Sequence, residues 1–238
     1  MKPAPFDYVA PRTVEEALEA LAQAESRVLA GGQSLVPLLN FRLARPARLV
    51  DVNGIPELGV LRRAGGVLHI GATVRQAALE RSALVARHWP LLTQAVRYVG
   101  HAATRSRGTV AGSVAHADPR AELPVALAAL EARFHLRSLN GRRTLTADQL
   151  FQGPLTTAIE DGELLESIEV PPLPAGAKAG FAEYARTHGD FAQAAVAVVR
   201  TPERTTIVTL GPRVVTESAA DDHAGALLAA LVAEAMPA

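Results

Sequence analysis

Residues 12–55 alternate helical and strand patterns, with a pair of glycines at one changeover. "RTVEEALEALAQAES" spaces Leu18 and Leu21 for one helical face and sets Thr13 and Glu16 three apart, a capping-box pattern. "RVLAGG" reads as a short buried strand ending in Gly31 and Gly32. "QSLVPLLNFRLA" then turns back into helix, with Ser34 as N-cap and Pro37 in the first turn, and "RLVDVNGI" is a second apolar strand. A chain that opens this way must layer helices against a sheet.

The pattern continues. "GGVLHIGA" reads as a strand, and "TVRQAAL" repeats the capping-box spacing at Thr73 and Gln76. Pro90 opens a helix, and "LPVALAALEA" is apolar enough for a core helix. "ARFHLRSLNGRRTLTA" carries the clearest hairpin signal, with Asn140-Gly141 as its two-residue turn. "ELLESIEVP" is a further strand, and the Pro-, Gly- and Ala-rich "PPLPAGAKAG" at 171–180 reads as a linker. Beyond it "FAEYAR", "AAVAVVR" and "TIVTLG" read as strands, "TPERT" as a turn, and "DDHAGALLAALVAEAM" as a terminal helix. The expectation is an α+β fold, with a larger domain to about residue 172 and a small C-terminal domain.

Composition narrows the function. The 238 residues suffice for one large or two modest domains. Only 4% are aromatic, so the core must rest on Ala, Val and Leu. Acids and bases balance at 24 each, so no basic field invites nucleic acid and no basic amphipathic stretch suggests a membrane surface. The cysteine count of 0 excludes a disulfide, a thiol nucleophile and a Cys-ligated cluster within these residues. No metal-ligand set stands out. The N-terminal residues hold no signal-type apolar run, and no stretch is long and apolar enough to span a bilayer; the expected location is the cytoplasm.

Two small-residue segments remain. "AGGQS", residues 30–34, joins a strand to a helix; paired glycines allow close backbone approach and Ser34 adds a hydroxyl. "RGTVAGSVAHADPRAELP", residues 107–124, places a small-residue loop before Asp118-Pro119, which reads as a helix entrance. Either suits a phosphate held by backbone N–H groups, and taken singly either is also an ordinary turn. Neither a G-x-G-x-x-G nor a P-loop is present. His116 reads as structural. His188 and Asp190 flank Gly189, which suits either a ligand pair or a turn, and Tyr184 suits either a ring contact or the core.

In order and at suitable distances, "AGGQSLVPLLNFRL", "RGTVAGSVAHADPRAELP" and "HGDFAQAAVAVV", with "GPLTTAIEDGELLESIEVP" between, resemble the FAD-binding medium subunit of molybdenum hydroxylases. That family includes carbon monoxide dehydrogenase and relatives of xanthine dehydrogenase. The resemblance runs from "FDYVAPRTVEEAL" to about residue 200.

The resemblance implies a two-subdomain FAD-binding fold of the vanillyl-alcohol-oxidase (PCMH) type over residues 1–172, divided into about 1–55 and 56–172. A shortened α+β domain, 177–238, would cover the flavin. It further implies that Ala30, Gly31, Gly32, Gln33, Ser34 and Leu35 wrap FAD together with Thr109, Val110, Ala111, Gly112 and Ser113. Asp118 would add hydrogen bonds, and Tyr184 and Asp190 would approach the isoalloxazine. The flavin carries the chemistry, so no catalytic side chain is assigned. Electrons would arrive from a small subunit with two [2Fe–2S] clusters, themselves fed by a large molybdopterin subunit, in a heterotrimer dimerised to a heterohexamer. The chain departs from the family where Ala111 stands in place of the first of two glycines. A self-contained flavin oxidoreductase of the same fold and a scaffold without FAD are the competing readings.

Overall fold

A computed structural model describes residues 2–215 and 223–235. The first segment holds β1 (Asp7–Val9), α1 (Val14–Leu21), β2 (Ser26–Leu29), α2 (Leu35–Asn40) and β3 (Arg48–Asp51). The Thr13 hydroxyl caps α1 by accepting from the Glu16 N–H at 3.2 Å, and Glu16 reaches back to the Arg12 N–H at 2.7 Å. Val14, Ala17, Leu18 and Leu21 form its buried face. The strands make a parallel sheet in the order β1-β3-β2.

Next come β4 (Leu61–Ala64), β5 (Val67–Gly71), α3 (Gln76–Arg81), α4 (Ala83–His88), α5 (Pro90–Tyr98), α6 (Ala102–Arg107), α7 (Val110–His116) and α8 (Glu122–Ala129). They are followed by β6 (Arg133–Ser138), β7 (Gly141–Leu145), α9 (Ala147–Leu150), β8 (Phe151–Gly153), β9 (Thr156–Thr157) and β10 (Leu164–Val170). Five of these strands form an antiparallel sheet, β4-β5-β10-β6-β7, and β8 and β9 pair separately. Helix α8 is apolar nearly all round, and Leu123, Val125, Ala126 and Leu127 are fully buried. Trp89 is fully buried, and its indole N–H donates to the Pro171 carbonyl at 2.7 Å.

After the coil at 171–177 come β11 (Lys178–Tyr184), β12 (Ala194–Arg200), β13 (Thr205–Thr209) and β14 (Arg213–Val215), an antiparallel meander against which α10 (His223–Ala235) packs. The expected terminal helix is present over that span; its ends at 221–222 and 236 lie outside the described residues. Among the described residues no helix is long and apolar enough to cross a membrane.

Three local expectations are corrected. Helix α3 begins at Gln76 with Arg75, not Thr73, at the N-cap position. Residues 74–76 are instead drawn into pairing with 108–110: the Gln76 N–H donates to Gly108 O at 2.9 Å and the Val110 N–H to Val74 O at 3.0 Å. The β6–β7 register pairs Ser138 with Gly141, so the turn is Leu139-Asn140 rather than Asn140-Gly141. Asp118 does not cap α8. Ala117 ends α7 in the left-handed conformation (φ 50°), Asp118 forms an Asx turn with its Oδ1 accepting from the Arg120 N–H at 2.9 Å, and Ala121 occupies the N-cap position.

Candidate functional site

A cleft of about 570 Å³ draws its walls from both small-residue segments, from 157–163 and from 189–191. Residues 30–35 form one wall. Gly32 has φ +71°, a conformation that favours glycine. A Cβ on Gly31 would lie 2.5 Å from the Arg107 carbonyl oxygen and 2.7 Å from Gly108 Cα, so the two segments touch backbone to backbone. The Gln33 side-chain amide donates to the Gly31 carbonyl at 3.2 Å. Ser34 holds the N-cap position of α2 but makes no side-chain cap bond, which leaves its hydroxyl uncommitted to the helix.

The second segment is not the open loop its composition suggests. Thr109 caps α7, its hydroxyl accepting from the Gly112 N–H at 3.0 Å, and the small residues are helical. Thr109, Gly112 and Ser113 line the cleft; Val110 and Ala111 are buried behind it. Ala111 lies within the helix, where alanine is the best-suited residue, so this departure places no strain on the backbone.

Asp118 and Asp190 also line the cleft. Asp190 closes a turn by donating its N–H to Thr187 O at 3.0 Å; Gly189 within it has φ +87°, and His188 lies outside the lining. Tyr184 is 47% exposed at the end of β11 and lies outside the cleft wall.

Other lining residues escaped the sequence reading. Phe191, beneath the Arg120 guanidinium at 4.6 Å from its ring centroid, borders the cleft. Gln76 is buried with its Oε1 unpartnered, and Glu122 is 7% exposed. Burial, reinforced by the Asp118 charge, pushes the Glu122 carboxyl up to about 7. Burial and then Glu122 itself raise Glu183 to about 8. The 157–163 wall hangs on Arg143, which donates to both Glu163 oxygens at 2.7 Å and to Ala158 O at 2.5 Å. Burial opposes ionisation of Glu163, but those hydrogen bonds hold its carboxyl below the ordinary range. No local motif announces these residues; they depend on which segments the fold brings together.

The cleft is glycine-walled and lined, among the described residues, by Arg27 as its one guanidinium. Such a wall suits a phosphate-bearing ligand met by backbone rather than by many cations. Comparison with known proteins agrees. The chain is 45% identical over 194 residues to 6-hydroxypseudooxynicotine dehydrogenase complex subunit alpha of Paenarthrobacter nicotinovorans, covering 81% of this chain and 66% of that protein. It is 40% identical over 202 residues to caffeine dehydrogenase subunit beta of Pseudomonas sp. (strain CBB1), covering 84% and 68%. The chain thus spans about two thirds of the length of these relatives. Among solved structures, carbon monoxide dehydrogenase from Hydrogenophaga pseudoflava superposes with a TM-score of 0.87 at 34% identity, over 100% of this chain and 90% of that one. Quinoline 2-oxidoreductase from Pseudomonas putida 86 does so with 0.87 at 32% identity, over 99% and 98%. Residues 4–173 match the family described as the FAD binding domain in molybdopterin dehydrogenase, and the chain belongs to that family.

Proposed function

We propose that the chain is the FAD-carrying electron-transfer subunit of a molybdenum hydroxylase, with the cleft as its flavin site. The observation that carries this is the backbone contact of two glycine-bearing segments along one wall of the cleft, in a chain of this family. The residues present fit FAD: a Cβ at Gly31, Gly108 or Gly112 would fill space against backbone or a neighbouring side chain. Residues 30–35 with Thr109, Gly112 and Ser113 hold the diphosphate region, and Val110 and Ala111 support them from behind. Asp118 and Asp190 accept hydrogen bonds from cofactor groups. Tyr184 remains in the proposed set as an exposed aromatic at the end of β11. When bound, FAD supplies a two-electron acceptor that can release electrons singly.

The finer fold reading is the vanillyl-alcohol-oxidase type: 1–172 as the FAD-binding domain, with subdomains about 1–55 and 56–172, and 177–238 as its cover. The division of strands among four sheets, one within 1–55, two within 56–172 and one over 178–215, supports it. The proposed partners are a large molybdopterin subunit and a small subunit bearing two [2Fe–2S] clusters. They form a heterotrimer that pairs into a heterohexamer in the cytoplasm. The absence of cysteine in the sequence and the subunit designations of the relatives support that arrangement.

Co-expression with such partner chains, followed by size-exclusion chromatography and flavin spectroscopy, tests it. The expected result is co-elution with one FAD per chain, and flavin bleaching by substrate only when the partners are present. Bleaching by an organic substrate without partners would favour a self-contained oxidoreductase. A colourless chain would favour a scaffold.

A further inference from the structure

Ala30, Gly31, Gly32 and Gln33 line both the main cleft and a second cavity of about 380 Å³. Bordered by two cavities, this strip is held by the close contact of Gly31 with Arg107 and Gly108 and by polar tethers. One tether is a continuous chain of polar groups. The Asn53 amide donates to Ala30 O at 2.8 Å and to Asp51 Oδ1 at 2.6 Å. Its oxygen accepts from Arg75 Nη2 at 2.7 Å. The other nitrogen of that guanidinium, Nη1, donates to the Arg107 carbonyl. Arg75 is itself paired backbone to backbone with Thr109. At the far end Asp51 accepts from the Tyr8 hydroxyl at 2.5 Å.

We propose that Asn53 and Arg75 are positioning residues that lock the two glycine-bearing segments into one cradle for the cofactor diphosphate. The inference rests on the flavin reading above. Asn53 is solvent-exposed, so its side chain contributes little to core packing, yet both ends of its amide are engaged. A planar guanidinium with a fork of donors can span the Asn53 oxygen and the Arg107 carbonyl together; a single ammonium cannot hold both in that geometry. Residues 30 and 107 are thereby joined across 77 positions of sequence by side chains that lie outside the main cleft lining.

The test uses the full chain, stripped of flavin and titrated with FAD, in wild type, Asn53→Leu, Arg75→Met, Arg75→Lys, the double variant Asn53→Leu/Arg75→Met, and Arg137→Met. Arg137→Met breaks ion pairs to Glu15 and Glu166 that lie outside the cleft lining, and controls for general loss of stability. Asn53→Leu and Arg75→Met should each raise the FAD dissociation constant roughly tenfold or more. The double variant should be little worse than either, because both break one bridge. Arg75→Lys keeps the charge and should recover only a minor part of the affinity. Hydrogen exchange in flavin-free protein should quicken at 29–34 and 107–112 in these variants and not in Arg137→Met. Dissociation constants within twofold of wild type, full recovery by lysine, or multiplicative losses in the double variant would each overturn the bridge while leaving the flavin reading intact. A wild-type chain that takes up no FAD would overturn both.

Discussion

Gly31 and Arg107 meet backbone to backbone, with space for a hydrogen on Gly31 and none for a methyl: a Cβ would stand 2.5 Å from the Arg107 carbonyl oxygen. The two walls of the proposed flavin site are therefore one contact surface.

Gly31→Ala should force those backbones apart. Overpacking of this kind costs about 1–3 kcal/mol, read by urea denaturation. FAD affinity should fall further than stability, because the displaced strip is itself the wall. Gly32→Val, at φ +71°, should act in the same direction. A variant that folds and keeps wild-type FAD affinity would remove residues 30–34 from the site.

Asp118→Ala removes an Asx turn rather than a helix cap. The stability loss should be about 0.5–1.5 kcal/mol, one ordinary hydrogen bond, with a separate weakening of FAD binding. Thermal melts of flavin-free and FAD-loaded protein separate the two effects. Equal shifts in both would leave Asp118 a turn residue only.

Glu122 should make stability fall with rising pH. Its carboxyl is raised from 4.5 to about 7 in the folded chain. The stability it contributes is fully present below the unfolded value and is lost as pH climbs from there through the folded value. Glu183 acts in the same direction, owing to burial and to Glu122. Glu122→Gln should therefore be more stable than wild type at pH 8, by on the order of 2–3 kcal/mol, and near parity at pH 4. Denaturation midpoints across that range check the sign.

Arg143→Met should loosen the 157–163 wall. Glu163 would lose its bidentate partner and Ala158 O a donor. A loss of about 1–3 kcal/mol is expected for charged hydrogen bonds of this kind, with weaker binding of FAD. Restoration by Glu163→Gln in the Arg143→Met background would confirm the stranded charge as the cause.

The helices and strands with strong periodicity were legible in sequence, as were the two glycine-bearing segments. Where reading failed, long-range pairing overrode local signals. Thr73 carries a good capping-box pattern, but residues 74–76 pair with 108–110 and delay the helix. "TVAGSVAH" looks like a loop by composition, yet Thr109 caps it into α7. Gln76, Glu122, Phe191 and Arg143 carry no local motif. They reach the cleft or its supports only through packing among distant segments.

Trp89 is the sole tryptophan of the chain, and its indole is sealed from water with its N–H on Pro171, the residue that opens the coil leading to β11. Its emission therefore reports on one junction. Detachment of the β11–β14 meander should shift the fluorescence to the red before the rest of the fold melts. A flavin in the cleft should quench it by energy transfer, so cofactor loading and the seating of the C-terminal sheet can be followed in the native chain without an added label.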